Sequence, residues 1–357
     1  YHAILLESEA LGAGQTIAAQ GILHAGLKYA LAGKVSAVAQ RISAMPERWR
    51  AAIHGWPDSV VAADSQNLMI PAGLANGLTR ALAQKALGGA AQAIEAAAWP
   101  DRVRESGFAG SLIALRELVL DIPALLRAMA APQAAWIRRI DWAQARILRG
   151  DDGRIAGIAT PTQALRADRY IFSAAAANAR FARELGHEAG METQARPLLM
   201  AMMTPAPFAL WAHLTGMGEK PLATITSHRD AAGAPVWYIG GGAAERAKES
   251  DPRALFADCK AVLKKFMPGL DVSTAQWAAL PIDRVEGKAG KAGWLPDTPV
   301  IHACANALYA WPTKLEESRR RRSVPPLATI AQRCRSDRLS SSWTIACARS
   351  QLPARAA

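Results

Sequence analysis

Cysteine is scarce and scattered in this sequence: Cys259, Cys304, Cys334 and Cys347 form no Cys-x-x-Cys pair. That pattern argues against a zinc ribbon or a disulfide framework and favours reduced thiols, so a cytoplasmic chain is expected. Long apolar runs are missing too. Stretches such as Leu198 to Met203 fall far short of the roughly 20 residues of a membrane-spanning helix, so no membrane span is expected. No internal repeat is present. Aromatic residues make up 6% of the chain and charged ones 20%, against 51% hydrophobic, which is the balance of a folded globular protein and not of a disordered one.

The 357 residues suit one large or two ordinary domains. A net charge of +12 raises the question of nucleic acid, but its distribution answers it. From Glu316 onward there are nine arginines and three acids, so half of the excess sits in the last 42 residues. A basic tail attracts phosphate without specificity and is not a folded recognition surface, so no specific nucleic-acid partner is expected.

The beginning of the chain is its most informative part. An apolar run, Ala3-Ile4-Leu5-Leu6, ends on Glu7 and leads into Gly12-Ala13-Gly14-Gln15-Thr16 and then Gln20-Gly21-Ile22-Leu23-His24-Ala25-Gly26-Leu27-Lys28-Tyr29. An acid closing a short buried strand is how dinucleotide-binding folds hold the adenosine ribose hydroxyls, which is the role expected of Glu7. Gly12, Gly14, Gln15, Thr16 and Gly21 would bring backbone N–H groups and a hydroxyl close to a cofactor's pyrophosphate and ring edge. A strand and a GxGxxG turn normally stand about 20 residues before such an acid. Here only six residues precede it, and the expectation is a chain that begins inside a nucleotide-binding domain, which leaves a lost targeting segment open.

These residues resemble the flavin-dependent oxidoreductases of the D-amino-acid-oxidase superfamily, above all the glycerol-3-phosphate and L-2-hydroxyglutarate dehydrogenase branch. The flavin-facing loop of that branch has a His-x-Gly-x-x-Tyr pattern, matched here by His24, Gly26 and Tyr29. Ala167 to Ala175 is similar to the strand and small-residue turn that returns to the FAD, and Val236-Trp237-Tyr238-Ile239-Gly240-Gly241 to a substrate-domain strand. Gly293 to Pro299 with Pro312-Thr313-Lys314-Leu315 is similar to the C-terminal flavin-contacting segment. The resemblance covers roughly residues 1–315. It implies an α/β (α+β) fold: an incomplete FAD/NAD(P)-binding Rossmann-like domain with an antiparallel-sheet substrate domain. The expected boundaries are 1–75, 120–190 and 290–315 for the discontinuous FAD domain and 76–119 and 191–289 for the substrate domain, with 316–357 a basic, disordered tail.

The implied activity is oxidation of a CH–OH group of a small anionic substrate, a 2-hydroxy acid or glycerol 3-phosphate, by hydride transfer to FAD. Oxygen, a quinone or a carrier would reoxidise the flavin. Two alternatives stand beside it: an amine or amino-acid oxidase on the same fold, and a non-catalytic fragment that binds no flavin. A histidine suits the base that takes the substrate's proton, which is one reading of His24; the other is a histidine packed under the flavin. Tyr29 is the second catalytic candidate, and with Lys28 it would also grip an anionic head group. His228, Tyr238, Arg196 and Arg284 fall near expected sheet segments, where an arginine would clamp a carboxylate with two parallel bonds. The resemblance adds Ala174 and Ala175 at the flavin, Trp142 on a strand facing the adenine, and Lys314 beside the flavin, where a cation stabilises the reduced ring. Trp136 reads equally as core. No metal is expected.

The tail supplies a first prediction. Its Arg/Ser-rich composition buries too little apolar surface to offset an ordering entropy of about 1–2 kcal/mol per residue. Limited trypsin digestion should therefore cut first at Arg319 to Arg322; a tail as resistant as the rest of the chain would show it to be packed.

Overall fold

The computed structural model describes residues 2–24, 44–74, 91–217, 220–247, 251–288, 300–311 and 346–347. The chain divides into two units, one made of residues 1–17, 123–195 and 285–357 and the other of 18–122 and 196–284. Residues 18 to 75, expected with the cofactor domain, group with the second unit. The reason is strand pairing: Gln66–Pro71 lies between Gly110–Leu115 and Ala212–Leu214 in one sheet.

In the first unit the apolar strand Ala3–Glu7 runs parallel to Ile137–Arg139, in the register Leu5 to Ile137 and Glu7 to Arg139. The described pair Ala346–Cys347 lies antiparallel along its beginning; the rest of the tail, like Lys314, lies outside the described residues. Tyr170–Phe172 runs parallel to Ala307–Trp311, which turns back antiparallel on Val300–Cys304. The expected hairpin forms between Arg146–Arg149 and Ile155–Ala159, with Gly153 in the left-handed region at its turn. Helix Ala177–Leu185 ends on Gly186 at φ +68°, and the following His187 N–H closes onto the Ala182 carbonyl. The His187 ring then bridges the Tyr309 hydroxyl and the Gly153 carbonyl, both at 2.9 Å. Tyr170, Phe172, Phe181, Tyr309 and Trp311 form the core, with Phe172 and Tyr309 stacked at 4.9 Å.

Eight strands form the large sheet in the order Gln276–Gly287, Thr193–Thr204, Pro235–Gly240, Ala223–Arg229, Ala212–Leu214, Gln66–Pro71, Gly110–Leu115 and Ala91–Ile94. The pairing of Ala212–Leu214 with Gln66–Pro71 is parallel, whereas the neighbouring pairings are antiparallel. Helix Pro252–Phe266 belongs to the same unit. Asp251 caps it by accepting the Arg253 N–H, and Pro252 occupies a first-turn position where no donor is needed. Its Leu255, Cys259, Leu263 and Phe266 are buried with Met69, Leu112, Ala201 and Trp237. A side chain the size of Phe266 contributes about 1.5–3 kcal/mol when fully buried. Burial pushes the Cys259 thiol up to about 12, whereas Cys304 is half-buried.

Some local expectations change. Apolar residues at helical spacing predict a helix over Val35 to Ala52, kinked or divided at Pro46; of it the described residues hold Met45–Ala52, with Pro46 in the first turn. Ser59 and Val60 belong to a 3-10 turn, and the strand begins at Val61. Most of the helix expected over Leu74 to Leu87 lies outside the described residues. No helix among the described residues is long and apolar enough to cross a membrane.

One close approach fixes the segment that leads to His24. Residues 21 to 23 run antiparallel to 118–120: Leu120 N–H donates to Gly21 O, Leu23 N–H donates to Leu118 O, and Ile22 bridges Val119. Gly21 has φ +73°, and a Cβ there would sit 2.0 Å from the Leu120 carbonyl oxygen. The glycine answers to backbone packing before any cofactor. Gly21→Ala should therefore destabilise the protein by about 2–4 kcal/mol, from left-handed strain and overpacking together. Urea denaturation of the purified protein checks this, and a loss below about 1 kcal/mol would show that the two segments part easily.

Candidate functional site

The first unit carries the residues expected at the cofactor. Glu7 ends its strand, and its Oε1 accepts the N–H groups of Ser8 and Glu9 at 2.8 and 3.2 Å. The loop that follows turns through Gly12 at φ +75°, while Gly14 faces open space where a Cβ would stand. Gln15 spends its amide oxygen on the Val285 N–H at 2.9 Å, so it braces the loop, and Thr16 is exposed. Ala174 and Ala175 form the turn before helix Ala177–Leu185. Ala175 takes φ +47°, a conformation alanine rarely adopts. Its carbonyl accepts the Trp311 indole N–H at 3.1 Å, and buried Asn178 accepts the Ala174 N–H and donates to the Ala310 carbonyl. The turn is held in a strained form by three side-chain hydrogen bonds.

Trp142 is not on a strand. The strand stops at Arg139, and Trp142 sits in the next turn against Phe181 at 4.9 Å. Asp141 forms that turn by accepting the Ala143 N–H, which ends the extended run. Trp136, read as possible core, is 41% exposed.

The second unit holds the chemistry-bearing cluster. Continuing the antiparallel register from Ile22 opposite Val119 sets His24 opposite Glu117, and His24 Nδ1 lies 3.3 Å from Glu117 Oε2. His213 comes from the buried strand Ala212–Leu214, and its Nε2 lies 3.6 Å from the same oxygen. The two imidazoles stack at 5.4 Å with 19° between their planes. His213 Nδ1 meets the hydroxyl of its cross-strand neighbour Thr224 at 2.9 Å. Side-chain exposures are 15% for His24, 7% for His213 and 2% for Glu117. Burial alone would raise the Glu117 carboxyl. The charge of His24 and the hydrogen bonds from both imidazoles outweigh it and hold the carboxyl far below the ordinary range.

Glu117 and His213 escaped the sequence reading. The signal was there in part: Glu117 is an acid inside the apolar run Leu112 to Leu120, and His213 lies within an apolar stretch from Ala206 to Leu214. Acid and histidine in such places need a partner, although sequence alone does not name it.

A second polar group lies on the same sheet. Gln20 donates to the carbonyls of Thr224 and Tyr238 at 3.0 and 3.2 Å, and the Tyr238 hydroxyl donates to the Ala18 carbonyl at 2.9 Å. His228 Nε2 meets Thr226 Oγ1 at 2.9 Å, and its ring stands edge-on to Tyr238. Burial lowers the His228 pKa, against the opposing charge of Asp121, and burial also raises that of the Tyr238 phenol. His228 and Tyr238 are thus together, with the phenol's proton committed to the backbone. Arg196 and Arg284 are half-buried on the strands Thr193–Thr204 and Gln276–Gly287. Lys28 and Tyr29 lie outside the described residues.

No protein-family model matches the chain. A probable FAD-dependent oxidoreductase of Pseudomonas aeruginosa is 36% identical over 323 residues, spanning 88% of this chain and 81% of that protein. The crystal structure of an FAD-dependent oxidoreductase from the same organism superposes with a TM-score of 0.75 at 30% identity, covering 98% of this chain and 87% of that one. Glycine oxidase from Geobacillus kaustophilus shares the fold at 14% identity and a TM-score of 0.55, over 85% and 80% of the two chains. With a relative of that identity matched over most of both lengths, the chain belongs to the FAD-dependent oxidoreductases.

Proposed function

We infer that the chain oxidises a CH–OH group of a small anionic substrate, of the 2-hydroxy acid or glycerol 3-phosphate type, with His24 as the base. The observation that carries this reading is the cross-strand pair of His24 and buried Glu117. FAD, when bound, accepts the hydride. The residues of the first unit fit such a group. Glu7 has committed Oε1 to its own loop and would offer Oε2 to the ribose hydroxyls. Gly12 and Gly14 let the backbone approach the pyrophosphate, and Thr16 adds an exposed hydroxyl. The strained Ala174–Ala175 turn and Lys314 would stand at the ring, with Trp142 nearer the adenosine end. Gln15 acts behind them as a brace, while Gly21, in the second unit, serves the pairing with Leu120.

His24 works through its tautomer. The Glu117 carboxylate is ionised, so the imidazole nitrogen facing it carries the proton: Nδ1–H donates to Oε2. The lone pair then belongs to Nε2, which takes the hydroxyl proton as hydride leaves the carbon. The protonated ring would then face the Glu117 carboxylate as an ion pair. Lys28 and Tyr29, a few residues on, would hold the anionic head group, with His228, Tyr238 and Arg284 as further substrate contacts. Tyr238 can only accept there, because its proton is given to Ala18.

Anaerobic bleaching of the flavin by panels of 2-hydroxy acids, glycerol 3-phosphate and amino acids tests the substrate class. Bleaching by amino acids alone would overturn the CH–OH reading in favour of amine oxidation. With a substrate found, His24→Ala should slow flavin reduction by about 10²–10⁴-fold in single-turnover kinetics while FAD content stays near that of the parent. An unchanged rate would return His24 to a packing role.

A further inference from the structure

We propose that His24, Glu117 and His213 form a binding site for one divalent transition-metal ion of the zinc class. His24 Nδ1, Glu117 Oε2 and His213 Nε2 would be its ligands. All three donor atoms lie within 4.8 Å of one another. Zinc–nitrogen and zinc–oxygen bonds of about 2.0–2.2 Å place neighbouring ligand atoms of a tetrahedral centre about 3.4 Å apart. The observed separations from Glu117 Oε2 are 3.3 and 3.6 Å. Both are close to the edge of such a tetrahedron.

The surroundings agree with the distances. Two imidazoles and one carboxylate are the donor set of open zinc sites, and imidazole nitrogen disfavours magnesium and calcium. A metal-bound histidine is normally held through its other ring nitrogen, as His213 is through Thr224 Oγ1 at 2.9 Å. The site is seated on backbone: His213 and Thr224 are paired across two strands, and His24 and Glu117 across the pairing at Gly21. Glu117 is the most buried of the three, so its carboxylate would meet the cation away from bulk water. His24, at 15% exposure, is the most open of the three ligands, and three protein ligands leave the fourth position for water or a substrate oxygen.

The consequence for the enzyme rests on the role of His24 given above. A metal on Nδ1 leaves the ring proton on Nε2, and the loaded protein has no base there. Metal binding and proton abstraction therefore exclude each other, which makes the site inhibitory.

The flavin-loaded protein, stripped with chelator, should take up one zinc per chain in equilibrium dialysis. X-ray absorption at the zinc edge should show two imidazoles in the inner sphere. Glu117→Gln and His213→Gln should abolish stoichiometric uptake, and Thr224→Val should weaken it about 10–100-fold. Circular dichroism and FAD content identify any variant that has lost its fold. Because Thr224→Val removes no ligand, a graded loss there is independent of misfolding. Absence of stoichiometric zinc in the parent, or uptake unchanged in a folded His213→Gln protein, would overturn the site. The two readings separate cleanly. Zinc uptake with flavin reduction unaffected by His24→Ala upholds the site and overturns the base, whereas slowed reduction without zinc uptake does the reverse.

Discussion

The approach of Gly21 to the Leu120 carbonyl is the constraint on which the second unit's chemistry depends. Two hydrogen bonds and the Ile22–Val119 bridge set an antiparallel register, and that register carries His24 to a position opposite Glu117. A side chain at residue 21 would wedge the segments apart where a Cβ meets oxygen at 2.0 Å. The other side of the cluster is fixed by Ala212–Leu214, parallel to Gln66–Pro71 and antiparallel to Ala223–Arg229. A buried carboxylate between two imidazoles is tolerable only because both sides are held by backbone ladders.

The first unit stores its constraint in a different form. Ala175 occupies a left-handed conformation that glycine would adopt at no cost, and a strain of about 1–3 kcal/mol is typical of such a residue. The hydrogen bonds from Trp311 and to and from Asn178 hold the turn in that form. Asn178 is fully buried, so the network is rigid as well as satisfied. Strain retained in this way fits a turn whose backbone must face a ligand in one geometry.

Much of the architecture was legible because its signals are local. Apolar runs at 66–71, 112–115 and 235–239 read as strands, and Asp151-Asp152-Gly153 between 146–148 and 155–158 reads as a hairpin turn; each of these elements forms. The sequence reads as a helix over Asp251 to Met267, stopped by Pro268-Gly269, and it forms over Pro252–Phe266. Trp142 was misjudged because Asp141 breaks the strand by a side-chain turn, which apolar pattern does not record. Residues 18 to 75 were assigned by proximity in sequence, while their strand partners lie at 110–120 and at Ala212–Leu214. For the site, His24 was legible from its glycine-flanked motif. Its partners were not, since Glu117 is 93 residues distant and His213 joins only through sheet order.

The polar ties of residues 18 to 20 have a consequence for how the protein acquires its structure. Ala18 and Gln20 bond to Tyr238 and Thr224 across sequence separations of 204 to 220 residues. Contacts of that span bear the largest loop-closure entropy and reward it only after the strands they join have paired. The segment leading to His24 thus docks onto a sheet already built, late on the folding route. Interactions made after the rate-limiting step govern how fast a native chain opens, and hardly how fast it forms. The lifetime of the folded protein is therefore set in part by the anchoring of the same short segment that carries His24.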